Sequence, residues 1–287
     1  MNIIKKIINE QLGDKVFFGR KLLRKGPAAA AVLSREENHS VSAAGREKAG
    51  WVSPSYTQSQ SVWVDPIVAA RNKCIAVIPN APEVEAYKVL RRKILNLTKE
   101  HGWNTVMVTS ALPGEGKTLT AINLSLTFAR EFDQTVLLVD CDLRKQSIHE
   151  MLGIKSDRGL IDYLLSDTPI NDVMIWPKIE KFTLISGGKT IQDSAELLGS
   201  QRMKELFSDM KTRYPDRCVF FDVPPLLSGA DALTFATLAD CVLVVVQAER
   251  TPLDDVRRAL EMVPEGKLLG LVVNRQKSGL NQYPYSV

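Results

Sequence analysis

Cysteine and histidine are few and scattered. Cys74, Cys141, Cys218 and Cys241 stand far apart with no Cys-x-x-Cys spacing, and His39, His101 and His149 are isolated. This excludes a paired-thiol redox site and a histidine-ligated metal centre. Three of the four cysteines fall in or beside apolar strand patterns, where a thiol behaves as a small buried hydrophobe. Long apolar runs are also missing: none approaches the roughly 20 residues that span a bilayer, and the N-terminus lacks the uninterrupted apolar core and cleavage site of a secretory signal. The chain is expected in the cytoplasm with its cysteines reduced. Charge of one sign is lacking too, with 37 Lys and Arg against 33 Asp and Glu. The cations are not gathered on one recognition element, so no nucleic-acid partner is expected.

What is present suits one α/β catalytic domain with tails. The 287 residues are 45% hydrophobic and 24% charged, ordinary proportions for a globular core. Residues 1–25 form a basic amphipathic segment, with Ile3, Ile4, Ile7, Ile8, Leu12 and Phe17 near helical spacing among Lys5, Lys6, Lys15 and Arg20. Such a segment either docks on the domain or lies on a membrane surface. Residues 26–73 read as a flexible linker, the composition turning to Ala, Ser, Glu and Gln from Gly26 to about Gln60. The folded domain is expected over 74–276, followed by a flexible tail, 277–287.

Within the domain, apolar positions predict a helix over 83–97 and then an alternation of strands and helices. Strands are predicted at 105–110, 135–140, 182–186, 218–222, 241–246 and 268–273, and helices at 117–130, 195–210 and 252–262. Short strands apolar on both faces and separated by helices imply a doubly wound, mostly parallel α/β sheet flanked by helices.

Three strand ends carry the chemistry. Ala111-Leu-Pro-Gly-Glu-Gly-Lys-Thr118 lies between an apolar strand and an apolar helix and has the Walker A spacing. On the expected sheet this is the P-loop NTPase fold, and residues Pro113, Gly114, Glu115, Gly116, Lys117, Thr118 and Leu119 are therefore expected to cradle the phosphates of a nucleoside triphosphate. Lys117 would reach the β and γ phosphates, and the Thr118 hydroxyl would coordinate Mg2+. Asp140 and Asp142, followed by Arg144, stand at the carboxyl end of the second strand. Asp222, before Val223-Pro224-Pro225, ends another. Ligands bind at that edge of open α/β sheets, and acids beside a P-loop suit Mg2+ and its waters.

These three motifs in this order resemble the bacterial tyrosine kinases of capsule and exopolysaccharide synthesis, P-loop autokinases, over about residues 79–274. The resemblance implies an ATP-dependent protein-tyrosine autokinase in which Lys117, Asp140, Asp142, Arg144 and Asp222 serve catalysis. Asp140 would accept the tyrosine proton, and Thr118, Asp142 and Asp222 would hold Mg2+ or its waters. Asn274 and Arg275 fall where related P-loop proteins contact adenine. Glu85, Lys88 and Arg91 match a helical Glu-x-x-Arg-x-x-Arg pattern that links neighbouring subunits, with Lys88 replacing an arginine and losing its two-pronged fork. Tyr283 and Tyr285 occupy the place of the family's C-terminal acceptor tyrosines, although two make a sparse cluster. The implied partners are other copies of the chain in a ring, a membrane-embedded polysaccharide chain-length regulator that brings it to the inner face of the membrane, and a tyrosine phosphatase. Two other readings share the P-loop: a partitioning-type ATPase switch, and a nucleotide-binding regulatory subunit without transfer. The partitioning ATPases usually carry a second lysine early in the loop, where this chain has Leu112 and Pro113.

Overall fold

The computed structural model describes residues 59–78, 81 and 83–276, together with the backbone of an outlying strand at 16–18. In chain order the strands are β1 (Val16–Phe18), β2 (Gln60–Ser61), β3 (Thr105–Ser110), β4 (Thr135–Asp140), β5 (Met174–Trp176), β6 (Phe182–Ile185), β7 (Arg217–Asp222), β8 (Cys241–Gln247) and β9 (Leu268–Asn274). Every residue of β3, β4 and β6 is buried, as required of strands covered on both faces. Hydrogen bonding orders the sheet β1-β9-β8-β3-β7-β4-β6-β5-β2, parallel throughout except where β5 runs antiparallel to β6. The doubly wound, mostly parallel sheet expected from the alternation is the one found.

The helices that matter here are α1 (Pro66–Arg71), α2 (Val84–His101), α3 (Lys117–Phe128), α4 (Ile148–Leu152), α5 (Leu160–Leu165), α6 (Ile170–Val173), α7 (Ser194–Leu198), α8 (Gln201–Thr212), α9 (Ala230–Ala236) and α10 (Leu253–Glu261). Because strand side chains alternate, the sheet feeds two cores. Val106, Val108, Leu138 and Phe220 pack with Tyr87 and Ile94 of α2 and Ile122 and Phe128 of α3. Met107, Leu137, Val139 and Phe221 pack on the opposite face with Phe207 of α8, Phe235 of α9 and Ala259 of α10. Adjacent Phe220 and Phe221 thus serve different layers, Phe220 edge-on to Phe128 at 4.9 Å and Phe221 stacked on Phe207 at 5.1 Å. Fully burying each such ring is worth about 1.5–3 kcal/mol. All four cysteines are buried and unpaired, and burial pushes the Cys74 thiol up to about 12. None of the described helices is long and apolar enough to cross a membrane.

Three expectations need correction. Residues 60–73 are not linker: β2 pairs with β5, and α1 is preceded by Asp65 as its N-cap, whose carboxylate accepts the Ile67 and Val68 N–H groups at 2.9 and 3.0 Å. The stretch is held at long range, by Val62, Val64 and buried Ala69 packed into the α2–α3 core and by Asn72, which donates to the Met151 carbonyl at 3.2 Å. The helix expected over 195–210 is two helices, α7 and α8, parted where Ser200 caps α8 by accepting from Met203 N at 3.2 Å. An N-cap serine inside a continuous apolar pattern wins over the periodicity. Finally, Val16–Phe18, counted within an amphipathic helical segment, pairs with β9 as a parallel edge strand. Adjacent Val and Phe residues have high strand preference, and an open sheet edge offers them partners. The rest of the 1–25 segment, most of the expected 26–73 linker up to residue 58, and the tail from 277 lie outside the described residues.

Candidate functional site

The phosphate loop connects β3 to α3. Gly114 and Gly116 hold φ of 81° and 98°, a left-handed backbone that other residues adopt only with strain. Only glycine fits at 116 on steric grounds as well, because a Cβ there would lie 2.3 Å from Asn274 Nδ2. Pro113 and Gly114 are exposed at the loop tip, Lys117 and Thr118 open the first turn of α3, and Leu119 packs against the core. The N-terminus of α3 thus faces the loop with its positive end, as an anion site requires.

Sheet register brings the acids to this helix. β7 lies between β3 and β4, with Asp222 level with Asp140 on one side and Val108 on the other. Lys117 Nζ is 2.8 Å from Asp142 Oδ2 and 3.3 Å from Asp222. The Thr118 hydroxyl donates to Asp222 Oδ2 at 2.6 Å. Asp140 is fully buried and accepts three backbone N–H groups, from Asp142, Ser147 and Ile148, each at 3.2 Å. It therefore shapes the turn that carries Asp142 and ties that turn to α4.

Three carboxylates surround one ammonium, and the electrostatics record the imbalance. Burial, then the neighbouring Asp222, pushes Asp140 up to about 7 against the pull of Lys117. Burial also raises Asp222, opposed by Lys117 and the Thr118 hydroxyl. Burial alone would lower Lys117, but Asp222, Asp142 and Asp140 outweigh it and hold the ammonium above its ordinary range. Such a site has an unmet demand for positive charge. Among the described residues no group of three or more His, Cys, Asp and Glu side chains is arranged to hold a metal alone. The Thr118 hydroxyl with Asp142 and Asp222 is instead a hard-oxygen set that fits Mg2+, which binds through one or two carboxylates and takes its other ligands from phosphate and water.

The remaining predicted residues divide. Arg144 is joined to Ser194 Oγ at 2.7 Å and Asp231 Oδ1 at 3.2 Å, while Ser194 donates to Asp231 Oδ2 at 2.6 Å. It ties the β4 loop to the starts of α7 and α9. Asn274 donates to the Glu115 carbonyl at 2.8 Å and so lies against the loop, whereas Arg275 reaches Gln247 Oε1 at the end of β8 at 3.1 Å. On α2, Glu85 and Lys88 pair with each other at 2.5 Å and face outward. Arg91 binds its own chain, at 2.6 Å from both Glu131 and the Thr127 carbonyl at the C-terminal end of α3. Tyr283 and Tyr285 lie outside the described residues. Asp231, Gln247 and Thr251 escaped sequence reasoning because nothing local marks them; only the fold brings them to the site.

Comparison with known proteins gives a consistent picture. Residues 104–268 match the family model described as AAA domain. The chain is 33% identical over 218 residues to "Tyrosine-protein kinase YwqD" of Bacillus subtilis, covering 75% of this chain and 91% of that relative. It is 30% identical over 210 residues to "Putative tyrosine-protein kinase EpsB" of Ralstonia nicotianae, covering 72% of this chain but only 28% of that longer protein. Among solved structures it superposes on the kinase domain of Escherichia coli tyrosine kinase ETK with a TM-score of 0.66 and 25% identity, covering 86% of this chain and all of that one.

Proposed function

Given that the chain belongs to the P-loop bacterial tyrosine kinases, we propose that it transfers the γ-phosphoryl group of ATP to tyrosines of its own kind, in the service of capsule or exopolysaccharide synthesis. The observation that carries this reading is the buried cluster at the head of α3, where Lys117 lies between Asp142 and Asp222 and Thr118 binds Asp222.

In the proposed reaction the phosphates rest on 113–119. Lys117 turns from its carboxylates toward the β and γ phosphates and offsets the charge that develops in transfer. Thr118, Asp142 and Asp222 hold Mg2+, which when bound neutralises phosphate charge. A bond forms between the tyrosine oxygen and the γ phosphorus, the bond to the β–γ bridging oxygen breaks, and ADP leaves. Asp140 takes the phenolic proton, the phenol being a poor nucleophile at neutral pH until it is lost. Its three backbone contacts fix its position beside Asp222. Arg144 acts by holding the β4 loop against α7 and α9. Asn274 and Arg275 border the adenine.

The acceptors in this reading are Tyr283 and Tyr285, presented to a neighbouring copy. Glu85 and Lys88 contribute to contacts between copies, and Arg91 braces α2 from within. A membrane-embedded chain-length regulator positions the assembly at the inner membrane face, and a tyrosine phosphatase resets it. Phosphate on the tails adds roughly two negative charges per tyrosine and loosens the ring by repulsion. Mass spectrometry for phosphotyrosine on the purified protein, with and without Mg-ATP, tests the reading. Gain of phosphotyrosine only with Mg-ATP supports it, and none in either condition, even with the regulator's cytoplasmic part added, rejects it.

A further inference from the structure

A carboxylate inside a loop that must receive a triphosphate is electrostatically unfavourable unless it is occupied elsewhere. Glu115 is only 3% exposed. Its Oε2 accepts the Leu112 N–H at 2.7 Å, closing the loop on itself. Its Oε1 accepts the Thr251 hydroxyl and the Gln247 N–H, the latter at 3.4 Å. Thr251 Oγ1 in turn accepts the Gln247 N–H at 2.9 Å. From the other side, Asn274 Nδ2 donates to the Glu115 backbone carbonyl at 2.8 Å. One residue of the loop is thus held through side chain and backbone to the ends of β8 and β9 and to the turn before α10.

We propose that Glu115 is a positioning residue that holds the phosphate loop in its anion-receiving arrangement before nucleotide arrives, with Thr251 as its anchor. The proposal rests on the phosphate-site reading above. The flanking glycines at 114 and 116 leave the loop free to adopt many conformations. Any conformer without the correct turn binds no phosphate, so apparent affinity falls with the fraction that is competent. A carboxylate with both oxygens bonded to donors anchored in the protein raises that fraction. The same engagement commits its negative charge to those donors.

The test compares Glu115→Ala, Glu115→Gln and Thr251→Val with wild type, by calorimetry with Mg-ATP and by steady-state tyrosine phosphorylation. Glu115→Ala strands the Leu112 N–H and frees the loop. The Kd and KM for ATP should rise about ten- to a hundredfold, while kcat at saturating ATP stays within about threefold because bound nucleotide reorders the loop. Gln can still accept from Leu112 N with its oxygen and donate to Thr251 Oγ1 with its amide, so Glu115→Gln should stay within about threefold of wild type. Thr251→Val should weaken binding less than Glu115→Ala. The double variant should be no weaker than Glu115→Ala alone, because the two changes remove one shared contact. An unchanged Kd in Glu115→Ala overturns the proposal while wild-type binding keeps the phosphate site. A Glu115→Gln variant as weak as the Ala variant, or tighter than wild type, overturns it as well, since charge rather than anchoring would then be at work. Melting curves report whether the Ala variant is folded, and if it is not, the Gln and Val variants decide. A wild type that binds no Mg-ATP overturns the phosphate-site reading and this proposal together. A wild type that binds but never transfers overturns the kinase reading alone, and Kd still judges Glu115.

Discussion

Replacing Lys117 by methionine keeps most of the side-chain length and deletes the one ammonium of the acidic cluster. The amine stands 2.8 Å from Asp142 and 3.3 Å from Asp222, with 12% of the side chain exposed. Two consequences can be sized. Charge-assisted contacts are worth about 1.5–3 kcal/mol each, so contacts to two phosphates come to roughly 3–6 kcal/mol. Lys117 gives up part of its hold on Asp142 and Asp222 to make them, which leaves a net loss of about 2–4 kcal/mol, or about 30- to 1000-fold in the Kd for Mg-ATP. In the nucleotide-free protein the variant faces Asp142 toward Asp222 with no ammonium between them. Stranding a buried charge costs about 3–5 kcal/mol, but burial already favours the protonated form of Asp222. Proton uptake there limits the cost to about 1–2 kcal/mol, a melting temperature lower by about 2–8 °C for a domain of this size. Calorimetry and a melting scan read the two effects separately, and tyrosine phosphorylation should vanish with binding. A variant that binds Mg-ATP within threefold of wild type would refute the placing of phosphates at Lys117.

Three further outcomes follow from the same geometry. Asp140→Asn should lower transfer by about a hundredfold or more, since it removes a proton acceptor, and weaken Mg-ATP binding by no more than about tenfold, because its amide must face at least one backbone N–H that Asp140 accepts and so loosens the turn carrying Asp142; equal loss of affinity in calorimetry would make Asp140 part of the phosphate or metal site instead. Gly116→Ala drives a methyl into Asn274 Nδ2 from a backbone at φ of 98° and should cost about 1–3 kcal/mol of stability in a denaturant melt and abolish nucleotide binding; an unperturbed variant would show that the loop is looser than described. Tyr283→Phe with Tyr285→Phe should remove most phosphotyrosine detected by mass spectrometry and leave ATP affinity unchanged; a full signal would move the acceptors elsewhere, with half-exposed Tyr214 a better candidate than buried Tyr87.

The sheet and the strand-end acids were legible because they rest on local pattern: runs of buried β-branched residues, a turn of small residues, then Lys-Thr opening a helix. Asp140, Asp142 and Asp222 could be placed at one edge of the sheet because parallel strands put all their carboxyl ends there. What each side chain touches was not legible. Arg144 finds Asp231, and Glu115 finds Thr251, across more than eighty residues of chain, and no periodicity encodes such a meeting. Arg91 has the spacing of an outward charge, yet the Thr127 carbonyl at the end of α3 and the Glu131 carboxylate just beyond it draw it inward. The 60–73 stretch read as linker because its elements, a two-residue strand and a six-residue helix, are too short to show a period, although Ala69 is buried in the core and Val62 and Val64 pack against it. The break between α7 and α8 turns on one serine hydroxyl, which periodicity cannot weigh.

The pairing of β1 with β9 has a consequence for how the molecule is made. On the ribosome the residues of β1 emerge first among the described strands and those of β9 last, so this edge has no partner to join until nearly the whole domain is out. The ladder between them closes the longest loop in the sheet and involves three residues on the β1 side, which places it late in folding and makes it the first to open. Amide hydrogens along Leu271–Val273 that depend on this edge should exchange faster than those of β3 and β7 at the centre. Until β1 docks, the nascent chain shows its neighbours an unpaired strand, so crowding of newly made copies is the moment of greatest risk for misassembly.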